Sequence, residues 1–282
     1  MRGRPVFADP KTDFVFQRIF GSEEHKTALL GLINDLLDLD EAHRVKEVVF
    51  LPPELRPKVS ELKYSIVDVR CTDVRGIQYV VEMQVLNVEA FEKRVVYNVA
   101  KTFTNQLSGG ENYPSLNDVI GISICDFELF PRKEGSKVPM RSRFRMQEQQ
   151  SGELGLSSLQ FVFLELPKYE KKGRPETRVE KWAYFFREAD NFEVIPDELK
   201  EESFTEALEA ARTAKFSAAE WDAYIAAGMA IQNERGALSL ARRQGKQEGR
   251  AEGRVEGRAE GRVEGRAEGL QEGLRQAVYD LC

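Results

Sequence analysis

The 282-residue chain has no uninterrupted apolar run of about 18 residues, and its first nine residues reach Asp9 without the apolar stretch of a secretory signal. A membrane protein is therefore not expected, and a cytoplasmic location is. Cysteine is scarce. Cys71, Cys125 and Cys282 are odd in number, widely separated and without CxxC spacing, which argues against a disulfide framework or a structural zinc site. Histidine is scarcer still: with only His25 and His43, a histidine base or a His-rich metal cage has little to draw on, so any metal would sit on carboxylates. An excess of positive charge is also missing. The 41 Lys and Arg stand against 47 Asp and Glu, a net −6; residues 242–282 hold nine and eight of these, which leaves the body 32 against 39, or −7. An evenly basic DNA-coating surface is excluded, although local basic patches are not.

Apolar residues make up 41% of the chain and charged residues 31%, enough for a soluble body of one or two domains. Asp9 followed by Pro10 reads as an N-cap with proline at N1. The helix so opened puts Phe16, Ile19 and Phe20 on one face before Gly21 stops it. Ser22 caps a second helix striped by Leu29, Leu30, Ile33, Leu36 and Leu37. After the loop with Pro52, Pro53 and Pro57 the period changes: 64–72 and 77–86, rich in valine and isoleucine, read as two strands of a hairpin. A long helix over 91–107 carries Val95, Val99 and Phe103. Strands follow over 119–127, 141–147 and 160–166, and helices from Arg178 onward, through 204–214 and 218–231. This order predicts an α/β or α+β sheet with helices packed on its faces. Trp182, Phe185 and Phe186 read as core, and Cys71 and Cys125 as small packed hydrophobes.

The tail is a repeat. From Gly245 to Gly273 a glycine recurs every fourth residue, eight in all, in units such as Gly249-Arg250-Ala251-Glu252. On a helix this stacks like charges at i,i+4, and each glycine costs roughly 1 kcal/mol relative to alanine. Such a helix needs a partner, and a second copy could supply one. A solvated, disordered tail is the other reading.

The chemistry centres on the hairpin. Asp68 lies in its first strand, and Glu82 and Gln84 share one face of the second. If the turn centres on Arg75, opposing residues sum to 150, so Asp68 faces Glu82 and Ile66 faces Gln84. Cross-strand Cβ atoms lie about 4.5–5.5 Å apart, close enough for two carboxylates to hold one divalent cation. Without a cation or protons the pair repels itself and resists burial. The alternative is a wet sheet face with ordinary alternating polar residues.

Asp68, then Glu82-Met83-Gln84 in a following strand, then a long helix, resembles the PD-(D/E)XK nuclease core, with Gln84 in place of the usual lysine. The stretch Lys11-Thr12-Asp13-Phe14-Val15-Phe16-Gln17-Arg18-Ile19-Phe20-Gly21 resembles the opening of the Rpn family of recombination-promoting nucleases and transposases. So do Val81-Glu82-Met83-Gln84, Arg94 with Tyr97, Gly110-Glu111-Asn112-Tyr113, Val119-Ile120-Gly121-Ile122 and Phe163-Leu164-Glu165-Leu166. The resemblance implies a restriction-endonuclease-like α/β core sheet flanked by helices over about 8–190; the patterns beyond it add a helical extension over 191–241 and the repeat tail over 242–282. It also implies a bacterial, metal-dependent DNA endonuclease, using Mg2+ or another divalent cation such as Mn2+ and promoting recombination or transposition-like events. Asp68 and Glu82 would hold the metal, and Gln84 would take the lysine's place, orienting water or steadying phosphate charge. Asp13 would approach the site, although an acid in a first helical turn also suits the helix dipole. Gln17 stands where the family commonly has lysine.

DNA requires cations for its phosphates. Arg141, Arg143 and Arg145 alternate along one strand, Lys168, Lys171, Lys172 and Arg174 follow the apolar strand, and Arg94, Tyr97 and Lys101 share a helical face. Charge on an edge strand that discourages aggregation is the alternative for the arginines, and a solvated face for the helix. Two rival functions remain: a DNA-binding or self-assembling protein that keeps the fold without efficient catalysis, and an interaction module unrelated to nucleic acid. DNA and, through the repeat, further copies of the chain are the expected partners.

Overall fold

The computed structural model describes residues 4–55, 65–108, 110, 112–131, 138–170 and 174–279. Two compact units are present, Met1–Met229 and Ala230–Cys282.

The first helix, α1 (Asp13–Phe20), starts later than the Asp9–Pro10 pair predicts. The Asp9 carboxylate accepts the Lys11 N–H and the Asp9 carbonyl accepts the Thr12 hydroxyl, so a turn comes first and Thr12 takes the N-cap. Gly21 ends α1 as expected. Ser22 caps a short 3-10 turn, which leads into α2 (Lys26–Leu37). The strands and helices that follow are β1 (Val48–Phe50), β2 (Glu54–Leu55), β3 (Ser65–Ile66), β4 (Val69–Asp73), β5 (Gln78–Gln84) and α3 (Phe91–Thr104). Then come β6 (Val119–Cys125), β7 (Arg141–Met146), β8 (Leu156–Glu165), α4 (Arg178–Glu188), α5 (Glu202–Ala211) and α6 (Ala218–Tyr279).

The main sheet has six strands in the order β1-β4-β5-β6-β8-β7. Its centre, β5-β6-β8, is parallel, and β1, β4 and β7 run antiparallel to their neighbours. Parallel strands buried on both faces need continuous apolar runs, and β6 supplies one, Val-Ile-Gly-Ile-Ser-Ile-Cys, buried throughout.

Alternation divides the sheet's two faces. Val81, Met83, Ile120, Ile122, Ile124, Val162 and Leu164 belong to the large core that also holds Phe16 and Phe20 of α1, Leu29 and Leu32 of α2, Trp182 and Phe186 of α4, and Phe204 of α5. Trp182 and the phenylalanines beside it are thus packed interior, as their spacing predicts, and Cys71 and Cys125 are buried. On the opposite face Val99 of α3 joins Val80 and Val119, and Phe91 and Val95 join Cys125 and Phe163. Gly121 lets α3 approach: a Cβ there would lie 2.6 Å from Cγ2 of Val99. This α3 face carries Glu82 and Gln84.

The Met1–Met229 unit is closed by its own ends. Phe7 pairs with Arg212, Ala8 donates to the Ala211 carbonyl, and Arg4 stacks on Trp221. In Ala230–Cys282 the described residues through Tyr279 are helical, and the side chains described from 232 onward that belong to the repeat are exposed. No helix among the described residues is long and apolar enough to cross a membrane.

Candidate functional site

The β4–β5 hairpin has the register its sequence predicts, Val69 opposite Val81 and Cys71 opposite Tyr79. The turn is built by Asp73, whose carboxylate accepts the backbone N–H groups of Arg75 and Ile77 and the Tyr79 hydroxyl. Gly76 supplies the positive φ of 83° that closes it. One residue before β4, Asp68 extends the register toward Glu82, and its Oδ2 accepts the Met83 N–H at 2.7 Å. The ladder ends there. Ile66 does not lie opposite Gln84 but pairs with Glu54 in the two-stranded β2–β3 sheet, because the chain leaves the main sheet between Val67 and Val69. Tyr64, the expected start of that strand, lies outside the described residues.

Helix α3 lays a polar stripe against the second acid. Asn98, buried among Val95 and Val99, donates from Nδ2 to Oε1 of Glu82 at 2.8 Å and accepts the Ser65 hydroxyl at 2.7 Å. One turn earlier Arg94 donates to Oε1 of Gln84, whose Nε2 donates to the Leu86 carbonyl at 2.8 Å. Asn98 was not foreseen in the sequence; the available signal was a lone amide at helical spacing inside an apolar stripe.

Burial acts on both acids. Burial pushes Asp68 up to about 7, the Met83 N–H opposes that, and the charges of Glu82 and Asp13 add to it while Arg94 lowers it. Burial also raises Glu82, against the Asn98 hydrogen bond and the Arg94 charge. Asp13, exposed in the first turn of α1, acts on Asp68 through its field. Among the described residues no three His, Cys, Asp or Glu side chains gather as metal ligands.

The other cations lie elsewhere. Arg141, Arg143 and Arg145 stand opposite Leu164, Val162 and Gln160, on the sheet face away from α3. Arg141 reaches the Leu36 carbonyl and Asp38, and Arg143 the Leu37 carbonyl and Gln160, so these two cap the C-terminus of α2, while Arg145 is exposed. Lys168 is buried, bonded to Glu165 at 2.6 Å and to the Val138 carbonyl. Glu165 also accepts the N–H groups of Leu129 and Phe130, so this pair fastens the loop after β6. Arg174 pairs with Glu198. Lys171 and Lys172 lie outside the described residues. On α3, Lys101 is buried while Tyr97 and Arg94 are exposed, so the three do not form one solvated face.

A model of the PD-(D/E)XK nuclease family transposases matches residues 10–238. The chain belongs to this family. Comparisons with curated proteins and with solved structures give no match. A PD-(D/E)XK family transposase has a nuclease or transposase role with DNA as the substrate, and the central mixed sheet flanked by helices is consistent with that fold. PD-(D/E)XK nucleases typically use divalent metals. The residues here fit such an ion. Met83 and Asn98 each fix one oxygen of a carboxylate, the donors are all hard oxygens, and two acids side by side, Glu82 buried and Asp68 half-buried, favour a cation between them.

Proposed function

We propose that this chain is a divalent-metal-dependent DNA endonuclease, using Mg2+ or Mn2+, that promotes recombination or transposition-like rearrangement. The observation carrying the reading is the pair of partly desolvated carboxylates, Asp68 beside Glu82, fixed by a backbone amide and by Asn98. Asp68 and Glu82 would hold the cation, which supplies Lewis acidity toward a phosphate oxygen and lowers the pKa of water. The residues themselves orient the site. Met83 N–H and Asn98 each hold one oxygen of a carboxylate in place, and the Asp13 charge adds to the negative field at Asp68. In the overall reaction a water oxygen bonds to phosphorus, the bond from phosphorus to one sugar oxygen breaks, a water proton is lost to solvent, and the departing oxygen takes one up.

The restriction-endonuclease-like core is assigned to 8–190, with a helical extension over 191–241 and the repeat over 242–282. Among the described residues the eight repeat glycines have nothing within 4 Å of an added Cβ, and such a stripe leaves room for a second helix to approach. That supports self-association through the repeat. Among the DNA-contact arginines, Arg94 is beside the acids; Arg141 and Arg143 serve α2, and Arg145 is the one of that strand left for phosphate. The test is supercoiled plasmid incubated with Mg2+, Mn2+ or EDTA. Metal-dependent nicking is expected; a protein that retards DNA in EDTA but never cuts it would make this a binding and assembly protein instead.

A further inference from the structure

A glutamine where a nuclease carries lysine raises the question of where the positive charge has gone, and Gln84 is already committed. Its Nε2 donates to the Leu86 carbonyl and its Oε1 accepts from Arg94, so the orientation of the amide is fixed and its oxygen is turned to the guanidinium. The geometry points to Arg94 as the cation that meets the scissile phosphate, with Gln84 as the positioning residue that holds it there. This rests on the nuclease reading and assigns its charge-stabilising group. Arg94 is exposed, so a phosphate can reach it, and its guanidinium stays ionised and offers several donors in one plane. It lies one helical turn from Asn98, which binds Glu82, so one face of α3 delivers both the acid's brace and the cation. Its guanidinium lies over the Phe91 ring, 5.2 Å from guanidinium carbon to centroid, which limits its wandering. Arg94 is also the cation whose field reaches both Asp68 and Glu82. Other cations nearby are differently employed: Lys101 is buried, and Arg70 is bonded to Gln78 two residues beyond Asp68.

The charge Arg94 supplies matters most when the phosphate gains charge during attack, so its loss should appear in kcat more than in DNA affinity. The experiment compares full-length wild type with Arg94→Ala, Arg94→Lys, Gln84→Leu and the Arg94→Ala/Gln84→Leu double variant. It uses plasmid nicking in Mg2+, anisotropy of labelled DNA in EDTA, and thermal melting as a check on folding. For Arg94→Ala the expected result is roughly a 100-fold fall in kcat with a change in metal-free DNA affinity of about threefold or less. Lysine restores part of the rate, and added guanidinium ion restores part of it in the alanine variant. Gln84→Leu slows cleavage, and the double variant is no slower than Arg94→Ala, because Gln84 acts through Arg94. Wild-type kcat in folded Arg94→Ala, or additive losses in the double variant, would overturn the assignment while leaving the nuclease reading intact. A wild type inert in every metal would overturn both.

Discussion

Asp68 and Glu82 pay for their position in a way that can be measured without DNA. Burial pushes the Asp68 carboxyl up to about 7 from 3.8 for an ordinary aspartate, so between these values the folded state keeps a proton that the unfolded chain has lost. Stability therefore falls as pH rises through that window and stays lower above it, by on the order of 4 kcal/mol across the whole window. Asp68→Asn keeps an acceptor for Met83 N–H and removes the charge. It should flatten the fall in urea midpoint between pH 5 and 8 and be the more stable protein at pH 8; an unchanged slope would contradict the account. The buried Glu165–Lys168 pair makes the opposite case. Lys168→Met strands a buried carboxylate and should cost about 3–5 kcal/mol in chemical unfolding. At this scale the hairpin register over Val69–Thr72 was legible in the sequence because a turn's centre fixes who faces whom, while the departure of the chain from the sheet before Val69, which takes Ile66 to Glu54, was not. Nor was Asn98, since its contact depends on α3 packing on the sheet, or the burial of the local Glu165–Lys168 pair, since the loop carrying Leu129 and Phe130 comes from elsewhere in the chain.

Helix α3 is the element on which the site depends, and it is seated by the absence of a side chain at Gly121. Gly121→Ala puts a methyl 2.6 Å from Cγ2 of Val99, so the Val99 side chain or α3 itself must shift. A destabilisation of about 1–3 kcal/mol is expected in thermal unfolding, with a larger relative loss of nicking, because Asn98 and Arg94 move with the helix. Unaltered activity in that variant would mean that α3 does not position the site. Helix and strand types were legible from periodicity for each long segment. The start of α1 was not: Asp9 can cap a helix or fold a turn, and its bonds to Lys11 and Thr12 decide for the turn. Nor was the employment of Arg141 and Arg143, since alternation places three arginines on a face without saying that the end of α2 lies beneath it.

For the whole molecule, one compact unit carries the acids and α3, and the other carries the repeat. The repeat is read directly from the sequence; the proposal that it joins copies is tested by truncation. Ending the chain at residue 241 should reduce the mass seen by light scattering to that of one chain and leave nicking per site within about threefold, as expected for distant, independent sites. An unchanged mass would refute assembly through the repeat. The claim on which the account stands is that Asp68 and Glu82 together make the chain a metal-dependent nuclease. The measurement that reaches it most directly is plasmid nicking in Mg2+ and Mn2+ by wild type, Asp68→Asn and Glu82→Gln, at matched purity and with matched melting profiles. The account predicts cleavage by wild type that EDTA abolishes and that each substitution lowers at least about 100-fold. Cleavage that persists in both variants would contradict it.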